Sequence, residues 1–241
     1  MMRVVCLILI SLAMLLVGCS NRPAAPMSER VTIFVPGVAG DGGWYDGLFR
    51  ELSKDGPVEV MTWGAPKAAF FANFSDAGIH DKAEQKLADR LAALPAAVTR
   101  IDLVGHSAGC GVVLGGAAKS NRTVASIVLL APSVSPTYDL RPALERMRGS
   151  INVFYSDQDV TFLKWRTSHF GTYDRIKTPA AGHLGFETKS LDEASQWRVR
   201  QTAYDPAWKT LGNDGDHFGP VAEAFVRDVV LPLLRQRDDA R

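Results

Sequence analysis

The sequence has no excess of charge of either sign. Its 241 residues include 27 Lys and Arg against 26 Asp and Glu, and no stretch is rich in basic residues. A protein that holds nucleic acid through the phosphate backbone needs a positively charged surface, so no nucleic-acid partner is expected. The chain also has no internal repeat, which argues against a solenoid or a propeller.

Cysteine is scarce, and common metal-binding motifs are missing. The three cysteines are Cys6, Cys19 and Cys110, and the first two belong to an N-terminal segment that stands apart from the rest. Cys110 is therefore alone in the part expected to fold, which excludes an intramolecular disulfide there. Without an H-E-x-x-H or a paired-cysteine motif, no metal is expected. With 46% hydrophobic residues, the chain suits one domain with a sizeable core.

One long apolar run lies near the N-terminus. Arg3 precedes residues 4–17, which are too short for a comfortable membrane span and have the length of a signal peptide's apolar region. The run ends in the letters LVGC at residues 16–19, which resemble the bacterial lipobox L-x-G/A-C. That resemblance implies a signal peptide over residues 1–18 and lipid on Cys19. An ordinary secretory signal with an unrelated cysteine is the alternative.

The resemblance to lipoproteins also implies a location. Residues 19–30 would be a lipidated tether that anchors the protein to a membrane of the bacterial cell envelope. Ser20, not an aspartate, follows the cysteine, which in a Gram-negative host is the pattern of sorting to the outer membrane. The membrane is thus an expected partner, and no obligate protein partner is evident.

Residues 99–114 contain the most informative pattern in the chain. The apolar residues Ile101, Leu103 and Val104 predict a buried strand. Gly105 to Gly109 reads GHSAG, and small apolar residues at 110–118 predict a helix. Strand, G-x-S-x-G and helix together are typical of a nucleophile elbow, in which Ser107 occupies a strained turn and projects its hydroxyl above the sheet. The two glycines let strand and helix approach closely. A purely structural turn is the alternative, and we interpret Cys110 as a small core residue.

At this motif the sequence resembles the α/β-hydrolase family, and the resemblance extends from Val31 to Leu234. It implies an α/β-hydrolase fold over residues 31–241, with a reduced, mostly parallel sheet of about six strands and helices on both faces. Only about twenty residues separate the strands predicted at 124–130 and 151–155, which leaves no room for a large cap domain. We therefore expect an open or lightly covered site. Further strands are predicted at 31–35, 58–63 and 172–176, and helices at 44–52, 81–93 and 221–234.

The family resemblance also implies an oxyanion hole. One N–H would come from Ala108, the residue after the serine. The second would come from the glycine-rich segment 36–44 after the first strand, where Val38 is the first candidate and Ala39 the next. A plain flexible loop is the alternative, and a dinucleotide-binding loop is disfavoured because the glycine spacing does not match G-x-G-x-x-G.

A carboxylate is needed to orient the catalytic imidazole and to stabilise its protonated form. By resemblance the acid follows the strand 151–155, where Ser156-x-x-Asp159 stands in place of the family's G-x-x-D. Asp159 is the candidate, and Asp157 is the fallback. Two solvated turn aspartates without a role are the alternative.

The base is chosen among five histidines: His80, His106, His169, His183 and His217. In the family the histidine follows the acid and precedes the final helix. His217 lies just before the helix predicted at 221–234, whereas His183 follows the strand predicted at 172–176. We favour His217, and His183 would then be a structural or pocket-lining residue.

These residues predict a serine hydrolase that cleaves a carboxylic ester of a small molecule or lipid through an acyl-enzyme. No organic cofactor is implied. A lipid, thioester or peptide substrate remains open, and Phe70, Phe71 and Phe74 either pack in the core or form an acyl-binding wall. The alternative function is a non-catalytic envelope lipoprotein that uses the same scaffold for binding.

Overall fold

The computed structural model describes residues 28–64, 73 and 76–236. The predicted signal peptide at residues 1–18, the lipidation site Cys19 and the three phenylalanines Phe70, Phe71 and Phe74 lie outside the described residues. Among the residues that are described, no helix combines the length and the hydropathy needed to cross a membrane.

The core of the structure is a parallel sheet of six strands. Its strands are β1 Arg30–Val35, β2 Val58–Val60, β3 Arg100–His106, β4 Ser126–Leu130, β5 Ile151–Tyr155 and β6 Val199–Ala203. They are arranged in the order β2-β1-β3-β4-β5-β6, and every adjacent pair is parallel. The strand number and the parallel arrangement predicted from the sequence are confirmed.

Helices cover both faces of the sheet, as predicted. The α-helices are α1 Asp46–Leu52, α2 Ala77–Ala92, α3 Gly109–Lys119, α4 Arg141–Leu144, α5 Thr167–Phe170, α6 Ala181–Leu184, α7 Glu193–Arg198, α8 Glu223–Phe225 and α9 Leu231–Arg235. Short 3-10 helices span Gly43–Tyr45, Ser53–Asp55, Pro206–Leu211 and Gly219–Val221, and π-helices span Thr161–Arg166 and Val226–Val230.

The alternation of side chains along the strands divides the core into two halves. On β3, Ile101 and Leu103 pack with α2 and α3, while Val104 packs on the opposite face with α1 and the C-terminal helices. Because successive side chains of a strand point to opposite faces, a strand buried on both sides must be apolar almost throughout. β4, whose sequence is SIVLL, follows this rule, whereas β3 and β5 also bury polar residues, among them Asp102 and Asn152.

The last strand is not where the sequence predicts it. Residues 172–176 form a turn, closed by a hydrogen bond from Thr172 N to Ile176 O (3.0 Å), with Arg175 at a φ of 65°. The sixth strand is β6, which pairs with β5 at the edge of the sheet. Its sequence VRQTA is largely polar because only one side of an edge strand is shielded, so the apolar pattern used to find the other strands is missing.

Only short helical segments cover the carboxyl edge of the sheet near Ser107 in the part of the chain that the structure describes. Between β4 and β5 there is no large insertion, only the single turn of α4, as predicted. The connection from β5 to β6 is the longer one, and its π-helix Thr161–Arg166 lies over the site. Ser107 is 6% exposed, and so short a covering agrees with the open or lightly covered site expected from the sequence.

A buried ionic cluster closes the opposite, amino edge of the sheet. The carboxylate of Asp102 on β3 accepts hydrogen bonds from Arg30 Nε (2.8 Å), Arg100 Nε (3.1 Å) and Ser126 Oγ (2.6 Å). Both arginines also donate to the carbonyl of Leu234, at 2.8 Å each. The cluster therefore ties the start of three strands to the C-terminal helix.

Candidate active site

Ser107 lies in a sharp turn between β3 and α3. Its φ is 56°, a left-handed conformation that is rare for residues other than glycine. A Cβ on Gly105 would come within 2.8 Å of Cys110 Cα, and one on Gly109 within 2.3 Å of Val35 O. Both glycines are therefore required by close backbone approaches, which is the geometry predicted for the elbow.

Ser107, His217 and Asp159 form a continuous hydrogen-bonded chain. His217 Nε2 lies 3.0 Å from Ser107 Oγ, and His217 Nδ1 lies 2.6 Å from Asp159 Oδ2. An ionised carboxylate only accepts hydrogen bonds, so Nδ1 carries the proton and Nε2 is left to accept one from the serine hydroxyl. All three side chains are buried, with exposures of 3–6%.

The carboxyl edge of the parallel sheet brings these residues together. Ser107 follows β3, Asp159 follows β5, and His217 precedes the 3-10 helix Gly219–Val221. Asp159 is fixed by its second oxygen, which accepts hydrogen bonds from the backbone N–H groups of Phe162 (3.1 Å) and Leu163 (3.3 Å). The acid thus also caps the π-helix that covers the site.

The other histidines and the second aspartate lie elsewhere. Asp157 is exposed, and its Oδ1 accepts a hydrogen bond from Gln158 Nε2. His183 is buried in α6, where its Nδ1 has no hydrogen-bond partner. His80 contacts the carbonyl of residue 73, and His169 that of residue 165. The structure brings His217, and not His183, to the serine.

The loop after β1 approaches Ser107 closely. A Cβ on Gly37 would lie 3.1 Å from Ser107 Cβ, and the turn that follows is closed by a hydrogen bond from Gly40 N to Gly37 O (3.0 Å). Val38 and Ala39 line the same cavity as the serine, and Ala108 directly precedes α3. The predicted oxyanion residues thus lie on two sides of Ser107.

The cavity at the serine is small and mostly apolar. It has a volume of about 60 Å³, and its walls include Trp44, Phe162, Arg166 and Phe218. The Phe162 ring stacks on His217 with a centroid separation of 4.6 Å. Arg166 Cζ lies 5.9 Å from the Phe162 centroid, so a guanidinium borders the cavity behind the aromatic ring.

Sequence reasoning missed two residues next to this site, His106 and Tyr45. His106 Nε2 lies 2.8 Å from the carbonyl oxygen of His217, and its Nδ1 lies 2.7 Å from the hydroxyl of Tyr45. Burial, reinforced by the nearby His217, lowers the pKa of His106 to about 3. His106 directly precedes Ser107 in the elbow, and this position could have indicated a role near the site. Nothing in the sequence around Tyr45 indicates one.

In the part of the chain that the structure describes, no three His, Cys, Asp or Glu side chains are grouped so as to hold a metal ion. By sequence, no protein-family model and no curated protein matches the chain.

Solved structures of hydrolases resemble this one. A lipase-esterase related protein from Clostridium acetobutylicum is 12% identical with a TM-score of 0.50, over 85% of this chain and 94% of that one. A type II thioesterase from the borrelidin biosynthetic cluster is 14% identical with a TM-score of 0.49, over 90% and 95% of the two chains. A predicted CIB-like hydrolase from Thermoplasma acidophilum is 19% identical with a TM-score of 0.48, over 91% and 90%. At such identities the likeness concerns the fold alone, and the fold is that of the α/β-hydrolases.

Proposed function

We propose that this protein is a serine hydrolase that cleaves carboxylic esters through an acyl-enzyme intermediate. The observation that carries the proposal is the buried chain of hydrogen bonds from Asp159 through His217 to Ser107, with spacings of 2.6 and 3.0 Å. A nucleophile within hydrogen-bond distance of a base, which is itself oriented by a third group, is the arrangement that activates a hydroxyl.

In the acylation step, Ser107 Oγ would attack the ester carbonyl while His217 Nε2 takes the hydroxyl proton. Asp159 would stabilise the imidazolium that forms. The tetrahedral intermediate would collapse when His217 returns that proton to the departing alkoxide, which leaves as an alcohol. The acyl group would then be held on Ser107 Oγ as an ester.

Deacylation would repeat these steps with water. His217 Nε2 would remove a proton from a water molecule as its oxygen attacks the acyl carbon. Breakdown of the second tetrahedral intermediate would return the proton to Ser107 Oγ and release the carboxylic acid. No group besides the three side chains is needed for the proton transfers.

We assign the backbone N–H groups of Val38 and Ala108 to the developing oxyanion. Both residues adjoin Ser107, one on the loop after β1 and the other at the start of α3. A fixed N–H donor is most effective when it points to where negative charge develops in the transition state, since it needs no reorganisation during the reaction.

The cavity supports a small acyl group. Its volume is about 60 Å³, and its aromatic walls favour an apolar group over a charged one. We therefore propose short-chain esters, rather than long-chain lipids, as substrates.

Labelling with a fluorophosphonate tests the nucleophile. The full-length protein should form an adduct at Ser107, mapped by mass spectrometry, and Ser107→Ala should form none. His217→Ala should label at least about a thousandfold more slowly, because the base is lost, while the matched variant His183→Ala should label at the wild-type rate. Absence of labelling in folded wild-type protein would contradict the proposal. An equal loss of labelling rate in His217→Ala and His183→Ala would contradict the assignment of His217 as the base.

We also propose that the protein is a lipoprotein of the bacterial cell envelope, anchored to a membrane through Cys19. The proposal rests on the lipobox-like sequence at residues 16–19. The intact mass of protein expressed in a lipoprotein-processing bacterium should match a chain that begins at Cys19 and carries acyl groups. Cys19→Ser should lack that mass increment, and an acylated Cys19→Ser protein would contradict the assignment.

A further inference from the structure

A second chain of hydrogen bonds runs behind the nucleophile. It begins at the backbone N–H of Gly37, which lies 3.2 Å from the hydroxyl oxygen of Tyr45. The Tyr45 hydroxyl lies 2.7 Å from His106 Nδ1, and His106 Nε2 lies 2.8 Å from the backbone carbonyl oxygen of His217. None of these groups takes part in the proton transfers of the proposed reaction.

The chemistry of the end groups decides the direction of every bond. The His217 carbonyl can only accept, so His106 Nε2 carries a proton and donates it. Because burial holds the pKa of His106 at about 3, the ring is neutral near neutral pH and its Nδ1 is a bare acceptor. The Tyr45 hydroxyl therefore donates to Nδ1, and its oxygen accepts the N–H of Gly37. Each donor and acceptor along the chain is satisfied.

This chain joins the two loops that complete the site. Gly37 immediately precedes Val38, and a Cβ on Gly37 would lie 3.1 Å from Ser107 Cβ, so the loop has little freedom to move closer. At the other end, His217 lies between a 3-10 helix ending at Leu211 and another beginning at Gly219. Between the two loops lies His106, the last residue of β3 and the neighbour of the nucleophile.

We propose that Tyr45 and His106 are positioning residues, which hold the oxyanion loop and the backbone of the base in register with Ser107 through this hydrogen-bonded chain. The inference rests on the proposed function, because it assigns a purpose to residues around the same serine. It adds that His106, the residue before the nucleophile, acts through both of its ring nitrogens. It adds also that Tyr45, which belongs to no motif in the sequence, is required for full activity.

The role predicts a particular kinetic signature. A displaced oxyanion donor weakens binding of the transition state and leaves binding of the ground-state ester almost unchanged. Loss of the chain should therefore lower kcat and kcat/KM together and leave KM nearly constant. Since His106 is neutral, its removal should not shift the acid limb of the pH–rate profile.

Tyr45→Phe in the full-length protein is the first test, because it removes only the hydroxyl. The ring, whose centroid lies 4.9 Å from that of Phe34, keeps its packing. With 4-nitrophenyl acetate, kcat should fall about tenfold or more, less than the loss seen when an oxyanion donor is deleted outright. Tyr204→Phe is the matched control, because the Tyr204 hydroxyl is buried without a hydrogen-bond partner, and it should keep wild-type kcat.

A double-mutant cycle tests whether the two residues act through one chain. His106→Leu removes both ring nitrogens, and with them the acceptor that faces Tyr45 and the donor to the His217 carbonyl. Once that acceptor is gone, adding Tyr45→Phe should cost less than about twofold more in kcat, because residues of one network are not additive. Additive losses in kcat would overturn the proposal.

Active-site titration with a fluorophosphonate and a thermal unfolding midpoint separate the possible outcomes. Rates are expressed per titrated serine, so a variant that is partly unfolded does not imitate a positioning effect.

If wild-type Ser107 is labelled but Tyr45→Phe turns over at the wild-type rate, the positioning role is wrong and the proposed function stands. If the acid limb moves by about a pH unit in Tyr45→Phe, the role is electrostatic and the proposal is likewise overturned. If wild-type protein is not labelled at all, the proposed function itself fails.

Discussion

Two buried aspartates lie at opposite edges of the sheet and differ in what their partners can do. Asp102 at the amino edge is fully buried, and Asp159 at the carboxyl edge is 3% exposed. Each accepts hydrogen bonds through both carboxylate oxygens. Burial and complete hydrogen bonding are thus common to both, and neither property by itself indicates a reactive site.

The difference lies in the partners. Asp102 faces the guanidinium groups of Arg30 and Arg100, which stay protonated at any pH that a protein tolerates. Asp159 faces an imidazole, whose second nitrogen is free to accept a proton from Ser107. The amino edge can therefore only hold charges in place, whereas the carboxyl edge can move a proton to and from a nucleophile.

The largest effect that separates the two aspartates is expected from Asp159→Asn. An amide would present an N–H to His217 Nδ1 and favour the tautomer that donates toward the serine, so kcat should fall about 10⁴-fold. The thermal midpoint should change little, because the amide oxygen can still accept the N–H groups of Phe162 and Leu163. Hydrolysis of 4-nitrophenyl acetate measures the loss of kcat. A variant that keeps more than a tenth of wild-type kcat would contradict the difference in function between Asp159 and Asp102.

Asp102→Asn should show the reverse behaviour. Removing the charge takes the counter-ion from Arg100 and leaves Arg30 only Asp55, at 3.9 Å. Because both arginines are partly exposed, the loss of unfolding free energy should be at most about 3 kcal/mol, the cost of breaking one side of a buried ion pair. The labelling rate of Ser107 should stay at the wild-type value, since the cluster lies at the other edge of the sheet. Urea unfolding gives the stability, and a large loss of labelling in folded protein would show that the two edges are coupled.

A third effect concerns acid stability at the carboxyl edge. The folded pKa of His106, about 3, is below its usual value of 6.5, so the unfolded chain takes up a proton first as the pH falls. The stability that depends on neutral His106 is therefore fully present above about pH 6.5 and is lost between there and pH 3, by at most about 1.4 kcal/mol per pH unit.

The non-titrating His106→Gln should consequently lose less stability than wild type between pH 6.5 and pH 4. Urea unfolding at several pH values measures the two slopes. Equal slopes would mean that His106 has the same pKa in the folded and the unfolded chain. Its ring would then be protonated below about pH 6.5, where Nδ1 could only donate to Tyr45.

Much of the fold could be predicted from local patterns. The apolar runs of β1, β3, β4 and β5 are long enough to mark buried strands, and GHSAG between a strand and a helix marks the turn at Ser107. The edge strand β6 could not be found in this way, because three of its five residues are exposed and its sequence is polar. The turn at residues 172–176 carries β-branched and aromatic residues and so imitates a strand.

The sequence by itself determined most of the strands and the strained turn at Ser107, because each follows from residues that are adjacent along the chain, while the parallel sheet was implied by the family resemblance. It reduced the acid to Asp157 or Asp159 and the base to His183 or His217. Only the tertiary structure decided which of these meet Ser107. Along the chain His217 lies 58 positions from Asp159 and 110 from Ser107, and all three must be brought to one edge of the sheet. The tertiary structure also decided the contacts of Tyr45 and His106 and which segment covers the site. Contacts between loops that are distant in the sequence produce no periodic pattern from which they could be predicted.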